Sequence, residues 1–264
     1  MYHKKTCLSQ VSIVIPTYNR ADFLPKAIDS ALAQTFPVEV IVVNHGSTDN
    51  TDKVVSSYGN KIKYIKRDND FGPHFCWLEG VLNTSGDFIH LQFDDDWIEP
   101  EFVADCMKVF DNDVGFSFTC ANIFDEKTNS ILLTQFREWL PKTGIYPVKN
   151  IEKRILRSLI SPAAAVYRKQ VLVDALYQGR LPLSKSEYHG VGPDCFVTLL
   201  SMLRYPKIGY VKKSLATFRA HEGSITINAT SEEEKSLEIK SAYKEVKRYY
   251  REMKFLRIVR QILG

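Results

Sequence analysis

The ten residues FIHLQFDDDW, Phe88–Trp97, join an apolar run to three consecutive carboxylates. A short apolar run that ends at a polar turn predicts a buried strand. The charges of Asp94, Asp95 and Asp96 repel one another, so each disfavours ionisation of the next. A fold keeps such a cluster at a strand end mainly when a cation lies there, and hard oxygen ligands suit Mg²⁺ or Mn²⁺. The alternative is an acidic, solvated turn that caps the next helix near Pro100.

The position of the triplet favours the cation, because ligands of open α/β sheets bind outside the carboxyl ends of the strands. Predicted strands and helices alternate over the first hundred residues, which implies parallel βαβ units. The pattern is looser over residues 122–162. The predicted strands are 11–15, 38–43, 62–65, 88–93, 114–121, 163–167, 208–211 and 214–218, and the predicted helices are 23–34, 72–82, 170–177 and 193–203.

The composition is that of a globular protein with a sizeable core. The chain has 264 residues, of which 44% are hydrophobic and 25% are charged, enough for one large α/β domain or two small ones. Five cysteines without a CxxC pair predict buried free thiols in a reducing compartment, not disulfides or a zinc site. The first ten residues lack the apolar core of a signal peptide and no apolar run reaches membrane-spanning length, so a cytoplasmic location is expected.

The C-terminal segment is basic and helical in pattern. Residues 235–264 carry nine Lys or Arg and three Glu, a charge of +6, so a net charge of +4 leaves about −2 for the rest. Apolar residues recur at three- and four-residue steps from Ile239 to Leu263, with Lys and Arg on most of the other face. This pattern is typical of a membrane-surface helix. The alternative is a helix that packs on its own body or on a second subunit.

Three motifs together resemble the family two glycosyltransferases, which have the GT-A fold. They are VSIVIPTYNR at 11–20, NHGSTDNT at 44–51, and GDFI at 86–89 with the Asp triplet. The similarity is dense over about 10–110 and thinner to about 226. It implies an α/β GT-A fold whose Rossmann-like, mostly parallel central sheet is flanked by helices. The implied organisation is a glycosyltransferase domain over 1–230, followed by the basic amphipathic helix at 231–264. Within that domain, about 10–110 would bind the nucleotide-sugar and about 111–230 would bind the acceptor and carry catalysis.

The resemblance also implies an activity. The enzyme would be an inverting, metal-dependent glycosyltransferase that uses Mn²⁺ or Mg²⁺. It would move a hexosyl or N-acetylhexosaminyl group from a nucleotide-diphosphate sugar, a UDP-sugar, to a hydroxyl of a glycan or lipid-linked acceptor in surface polysaccharide biosynthesis. It would work in the cytoplasm as a peripheral protein at the inner face of the membrane, with homo-oligomerisation left open.

Three other classes of function are alternatives to this one. One is a non-catalytic nucleotide-sugar-binding or assembly module of a polysaccharide-synthesis complex. A dinucleotide-dependent oxidoreductase is disfavoured because no GxGxxG follows the first strand. A nucleic-acid partner is not expected, because the basic residues concentrate in one helix without a recognised motif.

The resemblance carries the candidate donor and metal residues. Metal binding is expected mainly from Asp95 or Asp96, with the earlier Asp near the ribose or a metal-bound water. The nucleotide pocket is expected at the loop after the first strand, where Tyr18 offers a ring for stacking and Thr17 offers hydrogen bonds. The alternative for that loop is a simple turn. The full metal set is Asp94, Asp95, Asp96 and His221, and the full donor-binding set is Pro16, Thr17, Tyr18, His45, Asp94 and Asp95.

His45 departs from the family pattern, which usually has an Asp that accepts the N–H of uracil. A neutral imidazole can also accept a hydrogen bond through one nitrogen, whereas a protonated one cannot. Asp68 or Asp70 could help instead. The alternative is that His45 is a surface residue and that backbone groups hold the base.

The family's general base is an Asp at the start of a helix well after the metal motif, and Asp194 matches that place. A helix N-terminus stabilises a charged carboxylate, which could then accept the acceptor's proton. The alternative is that Asp194 only caps the helix. Glu187 and His189 are the further candidates for the base.

Two more groups of residues have open roles. Arg219 could bind a phosphate beside His221, or the two could form a surface ion pair and a packed histidine. The aromatic residues Phe136, Trp139, Tyr146 and Tyr188 could stack on acceptor sugars, although small satellite cores are the default interpretation.

Overall fold

The computed structural model describes residues 10–177, 192–221 and 233–263. Within these ranges, ten strands form one mixed sheet with helices on its faces. The strands are β1 Val11–Thr17, β2 Val38–His45, β3 Lys63–Arg67, β4 Phe88–Leu91, β5 Trp97–Ile98, β6 Val114–Asp125, β7 Ser130–Gln135, β8 Gly144–Pro147, β9 Ala165–Arg168 and β10 Lys207–Ala220. The helices are α1 Leu24–Leu32, α2 Thr51–Ser56, α3 Pro73–Leu82, α4 Phe102–Lys108, α5 Glu152–Arg157, α6 Lys169–Tyr177, α7 Pro193–Arg204 and α8 Glu233–Leu263.

The sheet order is β3-β2-β1-β4-β9-β6-β10-β5, with β7 paired to β6 and β8 paired to β10. The pairs among β3, β2, β1 and β4 are parallel, as the alternating pattern predicts, and β6 is parallel to β10. β9 lies antiparallel between the two parallel groups. The predicted α/β class is therefore confirmed, with one antiparallel strand at the centre.

The apolar runs form the buried strands of the core. Every residue of β1 and of β4 is buried, as expected for strands covered on both faces. The four cysteines in the described ranges are buried free thiols. Cys7 lies outside the described residues.

The region from 122 to 220 differs most from the sequence prediction. β6 continues to Asp125 and forms a hairpin with β7, and β8 and α5 occupy part of the stretch without a clear pattern. The two strands predicted at 208–211 and 214–218 are one strand, β10, with an irregular register between Val211 and Ser214. Lys212, which is half-buried, and Lys213, which is exposed, interrupt the apolar alternation at this irregularity, and this interruption explains the wrong division.

The C-terminal helix α8 packs on α7 through one stretch of its length. Ala242, Val246 and Tyr250 are buried, and Tyr249 meets Phe196 of α7 edge to face at 5.7 Å. Packing on the chain's own body, one of the two sequence alternatives, is therefore confirmed for this stretch. Within the described parts of the chain, no helix combines the length and apolar character needed to cross a membrane.

Candidate active site

The parallel strands end at one side of the sheet, called here the carboxyl edge and defined by the loops that follow β1, β2, β3, β4 and β10. β1 to β4 are parallel, so Thr17, His45 and Arg67 end beside the loop after Leu91. β9 is antiparallel to both β4 and β6, so β6 runs in the direction of β4. β10 is parallel to β6 and therefore also ends at this edge, at Ala220.

Asp194 is at the same edge. It lies in the first turn of α7, which packs against β6 and leads through residues 205–206 into β10. A helix joined by a short turn to the next strand of such a layer runs antiparallel to that strand. The start of α7, which carries Asp194, therefore points toward the carboxyl edge.

The Asp triplet is crowded and largely desolvated. Burial, followed by the neighbouring Asp95 charge, raises the pKa of Asp94 to about 7; Arg20, Thr17 and Tyr18 offset part of this shift. The same two causes raise the pKa of Asp96 well above its usual range. These are the effects expected of carboxylates that are buried close together. The alternative of a freely solvated acidic turn is wrong for Asp96, which is buried.

Asp95 has two close side-chain partners. Its Oδ2 accepts a hydrogen bond from Arg20 Nη1 at 2.8 Å and lies 3.1 Å from Nε2 of His221. His221 also packs on the ring of Phe23, with 4.6 Å between ring centroids. His221 is therefore a packed histidine and also a neighbour of the triplet, two properties that were alternatives in the sequence prediction.

Arg219 fastens the triplet to the end of β10. Its backbone N–H donates to Asp96 Oδ1 at 3.0 Å and its Nε donates to the Asp95 carbonyl at 3.1 Å. Its guanidinium also pairs with Glu126 at 2.8 Å. Arg219 therefore holds the loop in place, and its predicted phosphate contact stays a prediction.

The loops after β1 and β2 are cross-linked by side chains. Asn19, which has a left-handed backbone (φ 52°), accepts from Thr48 N at 2.7 Å through Oδ1, and its own N–H donates to Ser47 Oγ at 2.9 Å. Asp49 accepts from Ala21 N at 3.0 Å. These bonds leave the ring of Tyr18 standing out, 48% exposed, so the predicted stacking residue is accessible.

Pro16 and Thr17 complete this loop at the end of β1. Pro16 is buried and lies opposite Val43 of β2 in the parallel register, while Thr17 lies opposite Asn44. Both residues therefore set the backbone path that leads to Tyr18.

His45 ends β2 and is only 1% exposed, so the alternative that His45 is a surface residue is wrong. Its Nε2 lies 2.8 Å from Oε2 of Glu79 on α3. Glu79 also accepts from Arg67, which lowers the pKa of the Glu79 carboxyl, with desolvation opposing. A carboxylate partner requires Nε2 to carry the proton, so in the neutral ring Nδ1 is the acceptor. Nδ1 is buried and has no hydrogen-bond partner among the described residues.

The loop after β3 lies against Gly46. Gly46 has φ +74°, and a Cβ there would meet the backbone of Asn69 and Asp70 at 2.9 and 2.8 Å. Only glycine combines a ready positive φ with the absence of a Cβ, so only glycine fits both the left-handed backbone and the close approach of the neighbouring loop. This contact brings Asp70 beside the His45 turn; its side chain accepts from Gly72 N at 2.7 Å, so it supports its own loop.

Asp194 accepts three hydrogen bonds. Oδ1 receives the backbone N–H of Gly192 at 3.1 Å and of Cys195 at 2.7 Å, and Oδ2 receives the hydroxyl of Tyr243 at 2.8 Å. Burial is the largest influence and raises the pKa of Asp194, with the three donors opposing. Asp194 does cap its helix locally, yet it remains partly exposed. Glu187 and His189 lie outside the described residues.

The side-chain oxygen and nitrogen atoms at the triplet are of the types that coordinate a divalent cation. Carboxylate oxygens with one imidazole are acceptable to Mn²⁺ and Mg²⁺, and a dication would offset the repulsion that raises the pKa of Asp94 and Asp96. Across residues 10–177, 192–221 and 233–263, no three His, Cys, Asp or Glu side chains already converge as a coordination group. Instead, Arg20 holds Asp95.

Two aromatic residues suggested for the acceptor side, Phe136 and Trp139, belong to the main hydrophobic core, so the default interpretation of a small satellite core is wrong for them. Phe136 is buried and packs on Trp139, with 4.9 Å between ring centroids. Tyr146 is half-buried and donates to the Lys142 carbonyl at 2.7 Å. Tyr188 lies outside the described residues.

Comparison with known proteins identifies the family. The model of "Glycosyl transferase family 2" matches residues 12–175, more than half of the chain. The chain belongs to glycosyl transferase family 2. The matched range contains nearly all of β1, all of β2 to β4 and the loops that follow these strands. The predicted class of enzyme, a glycosyltransferase, is confirmed at the level of the family.

Curated family relatives are much longer than the matched segment. An uncharacterised glycosyltransferase of Rickettsia conorii is 32% identical over 181 residues, 63% of this chain and 29% of that protein. Glycosyltransferase GlyA of Streptococcus pneumoniae is 25% identical over 82% of this chain and 31% of its own length. Chondroitin synthase of Pasteurella multocida is 38% identical over 38% of this chain and 11% of its own. The chain thus spans under a third of each of these relatives.

Solved structures share the fold. S. aureus TarS in complex with UDP-GlcNAc aligns with a TM-score of 0.63 and 22% identity, over 81% of this chain and 60% of that one. Glucosyl-3-phosphoglycerate synthase of Mycobacterium tuberculosis, in complex with Mn²⁺ and UDP, aligns with a TM-score of 0.56 and 16% identity, over 90% and 80%. The expected GT-A type of fold is confirmed by these alignments.

Three residues of the site were not predicted. Arg20 lies within the first motif and has no predicted role, Glu79 lies on a helix without a polar pattern, and Tyr243 lies in the tail without a predicted role. Only Arg20 had a local signal, namely its place beside the Tyr18 loop. The partners of Glu79 and Tyr243 are 34 and 49 residues away in sequence, so their roles depend on the fold.

Proposed function

We propose that this chain transfers a sugar from a UDP-sugar to an acceptor hydroxyl with inversion at the anomeric carbon. The observation that carries the proposal is the convergence at the carboxyl edge of the Tyr18 and His45 loops, the Asp triplet and Asp194. A nucleoside, a diphosphate and an acceptor hydroxyl each need one of these groups. The complexes of TarS with UDP-GlcNAc and of the mycobacterial synthase with UDP support a uridine donor.

The base would be held by two loops. The ring of Tyr18 would stack on uracil, and Nδ1 of His45 would accept its N–H. The Glu79 carboxylate accepts the hydrogen bond of Nε2–H, so in the neutral ring Nδ1 is the acceptor and His45 can take the place of the usual Asp without a negative charge. Support comes from the buried Nδ1, which has no partner among the described side chains.

Transfer would take place on the Asp194 side of the edge. The carboxylate of Asp194 takes the proton of the acceptor hydroxyl as its oxygen forms the new bond to the anomeric carbon. The bond from that carbon to the phosphate oxygen breaks, and its electron pair leaves with the nucleoside diphosphate. A carboxylate with a raised pKa suits this step, because a general base works best when its pKa is close to the working pH.

Asp94, Asp95, Asp96 and His221 would hold Mn²⁺ or Mg²⁺. When bound, the ion would neutralise the charge that develops on the leaving diphosphate. Mn²⁺ in the complex of the mycobacterial synthase supports this assignment.

The acceptor would be a glycan or lipid-linked hydroxyl at the inner membrane surface. The last turns of α8 support this placement, because they leave the body with Phe255 64% and Ile262 76% exposed, beside Lys and Arg. Basic residues near an apolar stripe bind anionic lipid. The chondroitin synthase relative supports glycan synthesis.

The test pairs binding with turnover. The wild-type chain is screened by thermal shift with nucleoside diphosphates and Mn²⁺, and UDP release from UDP-GlcNAc and UDP-glucose is then measured. Asp194→Asn should keep the UDP-dependent rise in melting temperature and lose UDP release. Asp113→Asn, an exposed pair with Lys207 in the loop before β6, is the control and should retain both.

Two outcomes would each contradict a different part of the proposal. Wild-type turnover by Asp194→Asn removes Asp194 as the base. A wild-type chain that no nucleoside diphosphate stabilises and that releases no UDP is not a UDP-sugar transferase.

A further inference from the structure

We propose that Tyr243 of the C-terminal helix is a positioning residue for Asp194, so that α8 is part of the catalytic apparatus of this chain. The inference rests on the proposed role of Asp194 as the base. It assigns to the basic tail a function beyond attachment to a surface or partner.

The contact is direct and leaves little freedom to the carboxylate. The hydroxyl of Tyr243 donates to Oδ2 of Asp194 at 2.8 Å, while Gly192 and Cys195 donate to Oδ1. The two backbone donors fix one oxygen at the helix start, and the Tyr243 hydroxyl fixes the rotation of the other. Oδ2 retains a second lone pair, which is free to take a proton.

The helix that carries Tyr243 is anchored on both sides of it. Ala242 and Val246 are buried, and Tyr250 is buried with its hydroxyl donating to Glu152 of α5 at 2.8 Å. Lys254 also pairs with Glu152, at 2.5 Å. Because these contacts fix α8 to α5 and α7, the Tyr243 hydroxyl is held at Asp194 by packing as well as by its own hydrogen bond.

Among the described residues, the charged and titratable groups around Asp194 come from three elements. Tyr167 of β9 lies within electrostatic reach and bonds Thr198 with its hydroxyl at 2.8 Å; Cys195 follows in α7; Tyr243 and Lys247 belong to α8. Burial raises the pKa of Tyr243 strongly, so its hydroxyl stays protonated and remains a donor. A donor to the charged carboxylate lowers the pKa of Asp194, against the raising effect of burial.

The consequence for the reaction is twofold. The Tyr243 hydroxyl orients Oδ2, and it keeps Asp194 ionised at a lower pH than burial alone would allow. Without it, the base would be protonated over a wider range of pH and would rotate more freely.

The test uses three full-length variants. Tyr243→Phe removes only the hydroxyl, Tyr250→Phe removes an equivalent tail-to-body hydrogen bond away from Asp194, and Asp194→Asn identifies the Asp194 signal. Side-chain carboxyl ¹³C resonances are titrated by NMR, which needs no donor or acceptor. Loss of one hydrogen bond to a charged group should raise the pKa of Asp194 by about one pH unit in Tyr243→Phe, and Tyr250→Phe should leave it unchanged.

UDP release from UDP-sugars is then followed against pH. Tyr243→Phe should move the acidic limb of the kcat profile up by about one pH unit, with KM little changed, and Tyr250→Phe should match the wild type. An unshifted Asp194 titration in Tyr243→Phe, or equal losses of kcat in both tyrosine variants, overturns the positioning role and leaves the proposed function standing. Wild-type turnover by Asp194→Asn would instead remove the base itself.

Discussion

Replacing His45 with Asp, the residue usual in the family, should destabilise this chain. The change would introduce the residue that usually occupies this position in the family. Here the new carboxylate would lie in a buried position facing Glu79, whose Oε2 is 2.8 Å from the present imidazole Nε2.

The size of the effect follows from distance. An Asp side chain is shorter than His, so the two carboxylates would be about 5 Å apart, and 332/(20 × 5) gives a repulsion of about 3 kcal/mol at an effective dielectric constant of about 20. At about 2–4 °C for each kcal/mol in a chain of roughly this size, the melting temperature should fall by about 6–12 °C. Arg67 is half exposed and already bonds Glu79, so it reduces this repulsion only in part.

A double variant isolates the cause. His45→Asp/Glu79→Gln has the same Asp without the opposing charge, and its amide can donate to that carboxylate. It should recover most of the lost melting temperature and should bind UDP with Mn²⁺, whereas Glu79→Gln alone gives the reference for the loss of the Arg67 pair. Thermal unfolding at pH 7.5, with and without UDP, measures all four proteins. If His45→Asp is as stable as the wild type, or if the double variant is no more stable than His45→Asp, the assigned His45–Glu79 contact is wrong.

Three further predictions concern other parts of the site. Tyr18→Ala should weaken UDP binding about tenfold or more, from a stacking contribution of about 1–3 kcal/mol, whereas the exposed Tyr177→Ala should not; calorimetry showing equal affinities would exclude stacking. Burial raises the pKa of Asp94 to about 7 from 3.8, so the folded chain keeps a proton that the unfolded chain loses. Stability without metal should therefore fall as the pH rises from about 4 to 7, and Asp94→Asn should flatten this fall in thermal unfolding; an unchanged slope would contradict the shift. Phe255→Ser/Ile262→Ser should reduce flotation with phosphatidylserine vesicles and retain UDP release; undiminished flotation would assign α8 to protein contacts only.

The sequence located the strands β1 to β4 and the loops at their carboxyl ends well because the signals for these features are local. Apolar runs give the strands, and the polar residues directly after them, such as Tyr18 and Asp94, must then lie at one edge of a parallel sheet. The basic, amphipathic pattern of the tail likewise predicted a helix from residues close together in the chain.

The remaining features depend on contacts distant in sequence. The antiparallel direction of β9 follows from the return of the chain after α5, which residues 165–168 do not encode. Glu79 becomes the partner of His45 only when α3 packs beside the end of β2. The same holds for Tyr243, whose hydroxyl acquires a role only once α8 lies on α7.

The side-chain bonds among the loops after β1 and β2 have a consequence for the energetics of nucleotide binding. Asn19 accepts a hydrogen bond from Thr48, and Asp49 accepts one from Ala21. The backbone of these turns therefore loses its conformational entropy during folding and not during association. A nucleotide that reaches this preorganised surface does not have to order it first, so more of the interaction free energy appears as affinity.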